Sequence, residues 1–285
     1  MGTDNSTPRT ILRRSGPNLT TYTNRCSFIF KGFFMDAYLA EFIGTAILIL
    51  LGNGVVANVV LRDTKGHDGG WIVICAGWGF AVFTAVLCVG QFSGAHLNPA
   101  VTVGLAIAGA FEWKLASGYV LAQMAGAIAG AMLVYAFYKP HYDATDNADA
   151  KLATFCTGPN IRALPFNFFG EVVATFVLIY AVLLMVDPSI TIALGGVEGK
   201  FPVGLGSIGA LPVGLIVFAI GLSLGGTTGY AINPARDLGP RIAHCLLPIK
   251  DKRDSDWGYA AIPVMGPIIG AVLAALLFLS HQSVR

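Results

Sequence analysis

The chain has 285 residues, of which 55% are hydrophobic and only 12% charged. Soluble domains carry charge at roughly 25% of positions, so this composition belongs to a membrane protein. A net charge of +2, with no basic stripe interleaved with aromatics, gives no footprint for nucleic acid as a partner.

Residues 1–34 are polar and basic, with Arg9, Arg13, Arg14, Arg25 and Lys31 set against a single acid, Asp4. They contain no apolar h-region ending at a small-residue cleavage site, so a secretory signal is not expected. Two readings stay open: a disordered cytoplasmic tail, or an extension upstream of a start at Met35. The sequons at Asn5 and Asn18 fall in this stretch and are expected to stay unglycosylated.

From Met35 onward the chain reads as apolar spans, each near the roughly 20 residues that cross a bilayer as a helix. The first, 37–61, carries Glu41; the second, 71–91, carries Trp78. Between it and the third span, 116–138, lies Ser93-Gly94-Ala95-His96-Leu97-Asn98-Pro99-Ala100-Val101-Thr102. The fourth, 166–186, carries Glu171, and the fifth, 207–226, is followed by Gly229-Tyr230-Ala231-Ile232-Asn233-Pro234-Ala235-Arg236-Asp237. The sixth is 258–280. Loops this short leave no room for a soluble domain, so residues 35–285 are expected to form one transmembrane domain.

The two halves can be superposed, about 36–140 on about 165–280. Glu41 pairs with Glu171, Asn98-Pro99-Ala100 with Asn233-Pro234-Ala235, and Gly126 and Gly130 with Gly266 and Gly270. Internal symmetry of this kind marks transport proteins. Three crossings per half is odd, so the second half must be inverted. The apolar run after each Asn-Pro-Ala is too short to cross: Val101 to Phe111 spans about 16 Å at ~1.5 Å per residue, half of a ~30 Å core. Two half-helices are thus expected to dip in from opposite faces and meet near the midplane.

Asn caps a helix well, and Pro at the first helical position gives up only an orphan N–H. If the Asn oxygen caps its own helix, its two amide hydrogens stay free to face a lumen. The irregular backbone at 92–97 and 225–232 must be buried in protein or line a water-filled cavity. Carbonyls of Gly94, Ala95, His96, Gly229 and Ala231 are the candidate acceptors. Acceptors beside amide donors make a pore wall for neutral, hydrogen-bonding solutes.

With these features the chain resembles the major intrinsic protein family, the aquaporins and glycerol facilitators, over about 36–280. The resemblance implies an all-α fold of six transmembrane helices plus two re-entrant half-helices in an inverted repeat, assembled as a homotetramer in the cell membrane. It also places both termini in the cytoplasm. Charge does not settle orientation, since Lys114, Lys200 and Arg285 face Arg62, Lys65, Lys139, Lys151, Arg162 and the 250–253 cluster across the membrane.

The resemblance implies the glycerol branch: Asp237 stands where water-selective members usually carry a small residue, Pro263 and Val264 replace their aromatic pair, and Arg241 and Tyr138 match a basic and an aromatic position of that branch. The resemblance places a selectivity filter at Trp78, Gly221, Tyr230 and Arg236. Gly221 is expected to open volume, the aromatics to face a polyol's carbons, and Arg236 to donate to its hydroxyls. Tyr230 departs from the usual Phe, leaving glycerol, dihydroxyacetone, urea or an undissociated small acid as candidates. Gly158, in Phe155-Cys156-Thr157-Gly158-Pro159-Asn160, replaces an aromatic of the vestibule.

Glu41 and Glu171 read as supports for the two loops, Asp237 as the partner of Arg241, and His96 as a loop-stabilising residue. An intramembrane Arg such as Arg236 is a functional-site candidate. With two helix N-termini it is expected to repel cations and protons. Cys26, Cys75, Cys88, Cys156 and Cys245 are scattered without zinc spacing, so neither metal nor cofactor is expected. No nucleophile–base pair is visible, which argues against an enzyme. The expectation is a passive channel for glycerol and similar neutral solutes, water included. A water-selective pore, an ion-coupled transporter and a structural junction protein are the competing readings.

Overall fold

The structure, a computed structural model, describes residues 35–186, 188–194 and 197–282. The tail with its basic residues, Cys26 and both sequons, and Arg285, lie outside the described residues. Its elements are α1 (Ala37–Val60), α2 (Trp71–Ser93), α3 (Pro99–Ile107), α4 (Trp113–Ala144), α5 (Ala148–Ala153) and α6 (Leu164–Leu183). After a two-stranded hairpin, β1 (Ser189–Leu194) and β2 (Val197–Pro202), come a 3-10 turn (Gly206–Ala210), α7 (Leu211–Leu224), α8 (Pro234–Leu246) and α9 (Ala261–Gln282). Among the described residues, six helical stretches are long and apolar enough to cross a membrane; in the fifth the 3-10 turn runs on into α7. Phe80, Leu121 and Phe137 stand more than 60% exposed, as side chains do when the surrounding solvent is lipid.

Helix ends follow local chemistry. Asp36 caps α1 by accepting from the Leu39 N–H at 2.7 Å. Gly94, at φ 79°, ends α2 by donating back to Gly90. The first half-helix begins at Pro99 and stops at Ile107, short of the expected Phe111, because Gly109 turns the chain at φ 76°. α4 runs six residues past the expected end at Tyr138. Pro140 lies inside it, and the extra turns are held by Lys139–Asp143, His141 Nδ1 to the Arg62 carbonyl at 2.9 Å, and Tyr142 to Thr154 at 2.5 Å.

The hairpin pairs Ser189 with Pro202 through to Leu194 with Val197. It was not expected from the sequence, although alternating Ile190 and Ile192 before Gly195-Gly196 is a hairpin signal.

Inverted symmetry shows in the closest helix contacts. A methyl at Gly79 would lie 2.8 Å from the Gly214 carbonyl and 2.9 Å from Phe218 Cβ. At Gly214 it would lie 2.6 Å from the Gly79 carbonyl and 3.0 Å from Phe83 Cβ. α2 and α7 therefore cross backbone to backbone at the pseudo-twofold axis, as small residues permit. Contacts also correct the repeat register in α4 and α9. Gly126 abuts the Phe42 carbonyl and Thr45, while Gly270 abuts the Val172 carbonyl and Thr175. Gly126 thus pairs with Gly270, one helical turn from the expected Gly266, and Gln123 pairs with Pro267.

Each half-helix leans mainly on the other repeat. α3 packs chiefly on α9, and α8 chiefly on α4, while α1 pairs with α4 and α6 with α9. The two Asn-Pro-Ala loops are brought together by this exchange.

Candidate functional site

Both motifs start a helix in the same way. Asn98 Oδ1 accepts from Ala100 at 2.8 Å, and Asn233 Oδ1 accepts from Ala235 and Arg236 at 3.0 and 3.2 Å. Pro99 and Pro234 take the first helical position, and Ala100 and Ala235 are fully buried. The amides then cross over. Asn98 Nδ2 donates to the Ile232 carbonyl at 2.9 Å, and Asn233 Nδ2 to the Leu97 carbonyl at 2.8 Å. Here the structure corrects the expectation of two free amide hydrogens: one on each Asn pins the opposite loop, and one remains.

The loops are strained and clamped. Ala95, Leu97, Tyr230 and Ile232 all sit at positive φ, between 37° and 53°, a region costly for residues with a Cβ and most of all for a β-branched one. Glu41 accepts from Ser93 Oγ (2.6 Å) and from the His96 (2.9 Å) and Leu97 (2.7 Å) N–H groups. Glu171 does the same for Thr228 Oγ1 (2.6 Å), Ala231 (3.0 Å) and Ile232 (2.9 Å). One repeat adds a fourth donor: Gln123 Nε2 reaches Glu41 at 2.8 Å and Thr102 at 3.1 Å. Thr102 also meets His96 Nδ1 at 3.1 Å, and the His96 ring packs against Phe111 and Tyr119. Pro267, at the equivalent of Gln123, has no such donor.

A difference between the repeats follows. In Glu171→Gln the new amide must face backbone N–H donors, at a cost of about 1–3 kcal/mol. In Glu41→Gln the new amide also meets a backbone N–H, but Gln123 Oε1, unpartnered among the described residues, can turn to accept its other hydrogen. Thermal unfolding in detergent is expected to show a larger loss for Glu171→Gln; equal losses would refute the asymmetry.

Between the loops and helices α1, α2, α3, α6 and α7 lies a cavity of about 140 Å³, room for several waters or one small solute. Gly94, Ala95, His96, Asn98, Ala231, Asn233, Trp78, Tyr230 and Arg236 line it. No hydrogen bond among the described residues ends on the carbonyls of Gly94, Ala95, His96 or Ala231. The remaining wall is aliphatic: Leu48 with its repeat mate Leu178, Val82 with Val217, and Val86, Val101, Leu105, Val182, Val213, Leu97 and Ile232. Sequence reading missed this wall, because apolar residues facing a pore share their spacing with those facing lipid.

One end is chemically distinct. The Arg236 guanidinium lies 4.0 Å over the Trp78 ring, and neither Arg236 Nη1, Trp78 Nε1 nor the Tyr230 hydroxyl has a hydrogen-bond partner among the described residues. The repeat mates of Arg236, Trp78 and Tyr230 are Val101, Val213 and Ala95, so the other half offers no such polar set.

Gly221 and Gly229 do not line the cavity. A methyl at Gly221 would lie 2.8 Å from Tyr230 Cζ, 2.9 Å from its hydroxyl and 3.0 Å from Cys75 Sγ. The space that Gly221 leaves is therefore filled by the Tyr230 phenol, a correction to the expectation that it widens the lumen. Trp71 closes the recess, its ring edge-on to Tyr230 and its Nε1 donating to the Gly221 carbonyl at 3.0 Å.

Asp237 and Arg241, both fully buried, also stand behind the lining. Asp237 accepts from Arg241 Nε (2.8 Å) and from Thr157 N (2.7 Å) and Oγ1 (2.6 Å). Arg241 donates further to the carbonyls of Thr157, Ser255 and Asp256. Gly158 is exposed, with open space where a side chain would project. Tyr138 is half-buried on α4 against Phe137 and His141, and Pro263 and Val264 lie in α9. Among the described residues no three His, Cys, Asp or Glu side chains converge as a metal site, and Cys75, Cys88, Cys156 and Cys245 are free.

Comparison with known proteins places these features in context. A family profile described as major intrinsic protein matches residues 30–278. A probable glycerol uptake facilitator protein of Thermotoga maritima is 54% identical over 244 residues, covering 86% of this chain and 98% of that protein. A glycerol uptake facilitator protein of Streptococcus pneumoniae is also 54% identical, with the same coverage. The crystal structure of the aquaglyceroporin from Plasmodium falciparum matches with a TM-score of 0.71 at 34% identity, covering 85% of this chain and 94% of that one.

Proposed function

The chain belongs to the major intrinsic protein family, and from that premise we propose that it is a passive channel for glycerol and similar small neutral solutes. The observation that carries this reading is the cavity's polar end. Indole and phenol rings border it with apolar surface for a carbon chain, and the Arg236 guanidinium, lying over Trp78, offers N–H donors to the hydroxyls. A polyol presents both kinds of edge. Water passes along the same route, using the free amide hydrogens of Asn98 and Asn233 and the open carbonyls beside them.

Exclusion of cations and protons belongs to the same proposal. Arg236 is buried at the start of α8, and two helix N-termini each add roughly half a positive charge. Residues 35–285 form the channel domain, residues 1–34 a polar extension. Assembly as a homotetramer in the cell membrane, with cytoplasmic termini, is carried over from the family.

Stopped-flow light scattering on proteoliposomes tests the proposal. Vesicles shrink under an impermeant osmolyte; under glycerol they are expected to shrink and then reswell at a protein-dependent rate. Shrinkage without reswelling would mean a water-selective pore.

A further inference from the structure

Trp78 and Tyr230, the two aromatic sides of the filter, each sit in a recess left by a missing side chain. For Tyr230 the recess is at Gly221. For Trp78 it is at Gly52, a buried glycine in the middle of α1. A methyl there would lie 2.5 Å from Trp78 Cη2 and closer still to Cζ3 and Cε3, so the indole edge backs directly onto the α1 backbone. The opposite constraint comes from Arg236, whose guanidinium rests 4.0 Å over the same ring. Trp78 is only 4% exposed, held between the α1 backbone and Arg236, and it borders the cavity.

The repeat gives an internal control. Counting from Glu41 and Glu171, Gly52 corresponds to Val182 in α6; counting from Gly79 and Gly214, Gly221 corresponds to Val86 in α2. Both valines line the cavity. Where the wall is aliphatic a valine stands, and where it is aromatic its mate is glycine.

We infer that Gly52 is a specificity-determining residue: it sets how far Trp78 is withdrawn from the lumen, and so the width of the filter. This rests on reading the cavity as a solute pore. In Gly52→Ala the added methyl drives the indole toward Arg236 and the lumen. A solute that fills the filter suffers most, and one extra carbon in a fitted site is worth about tenfold or more. Water, being smaller, is affected far less.

The test compares glycerol and water permeability in proteoliposomes for the wild type, G52A, W78L and G52A/W78L, with thermal unfolding of each. G52A is expected to lower the glycerol-to-water ratio by about tenfold. In the W78L background the same substitution is expected to leave the ratio unchanged, because the ring it strikes is gone. Should G52A fail to fold while G52A/W78L folds, the recess is equally supported. An unchanged ratio in G52A, an equal fall in both backgrounds, or misfolding of both G52A variants would overturn the inference. A wild type that passes no glycerol would instead overturn the channel reading on which it rests, and the inference with it.

Discussion

Arg241→Ala is expected to lower stability by about 3–5 kcal/mol, because it leaves the Asp237 carboxylate buried without its cation. Both side chains have no solvent exposure, so water cannot replace the lost partner. The guanidinium also donates to the Ser255 carbonyl at 2.7 Å, Thr157 at 2.9 Å and Asp256 at 3.0 Å. Removing it therefore frees two loops and the first turn of α8, which carries Arg236. Thermal unfolding in detergent should show a large loss, and the surviving protein should discriminate poorly between glycerol and larger polyols. Asp237→Ala is expected to cost a similar amount. The double variant should cost much less than the two single losses added together, since neither charge is then stranded. Additive losses would show that each residue acts through separate contacts and that the pair is not a unit.

Legibility from sequence followed chemistry that is out of place. Asn98, Asn233, Glu41, Glu171 and Arg236 are polar groups in apolar sequence, where each must be paired or functional, and they stood out. Relations between residues were harder. Gly126 finds two glycines in α9, Gly266 and Gly270, a turn apart. Both satisfy small-xxx-small spacing, and only the contacts with Phe42 and Val172 choose between them. The crossed bonds from Asn98 to Ile232 and from Asn233 to Leu97 join residues more than 130 positions apart, and no local pattern encodes them. Charge bias failed for a structural reason. Arg62, Arg162 and Arg253 are tied to Asp146, Asp256 and Asp149, and Lys252 caps the carbonyls at the end of α8. These cations hold loops together, whatever side they face.

Glycines were the least legible residues, because an absence of side chain has many uses. Gly126 and Gly270 admit a neighbouring helix, and Gly94 turns the chain. Gly52 and Gly221 admit an aromatic ring. Only the identity of the nearest atom separates these roles.

Gly221→Val gives the sharpest consequence of that distinction, since it installs the residue that the other repeat carries at Val86. If Gly221 simply widened the lumen, valine would narrow it by its own volume and leave Tyr230 in place. The structure demands more. The first added carbon would already lie 2.8 Å from Tyr230 Cζ and 3.0 Å from Cys75 Sγ, too close for either to stay. Trp71 blocks retreat on one side, held by its bond to the Gly221 carbonyl. The phenol must therefore swing into the cavity it now borders, toward Arg236. Glycerol permeability is expected to fall about a hundredfold, the scale of an ångström-sized misplacement in a fitted site, with a smaller fall for water. The decisive comparison is Gly221→Val/Tyr230→Ala, which removes the displaced ring. Recovery of glycerol flux in the double variant would identify Tyr230 as the obstruction. Persistent loss would mean that valine itself closes the pore, and that the phenol's recess is incidental.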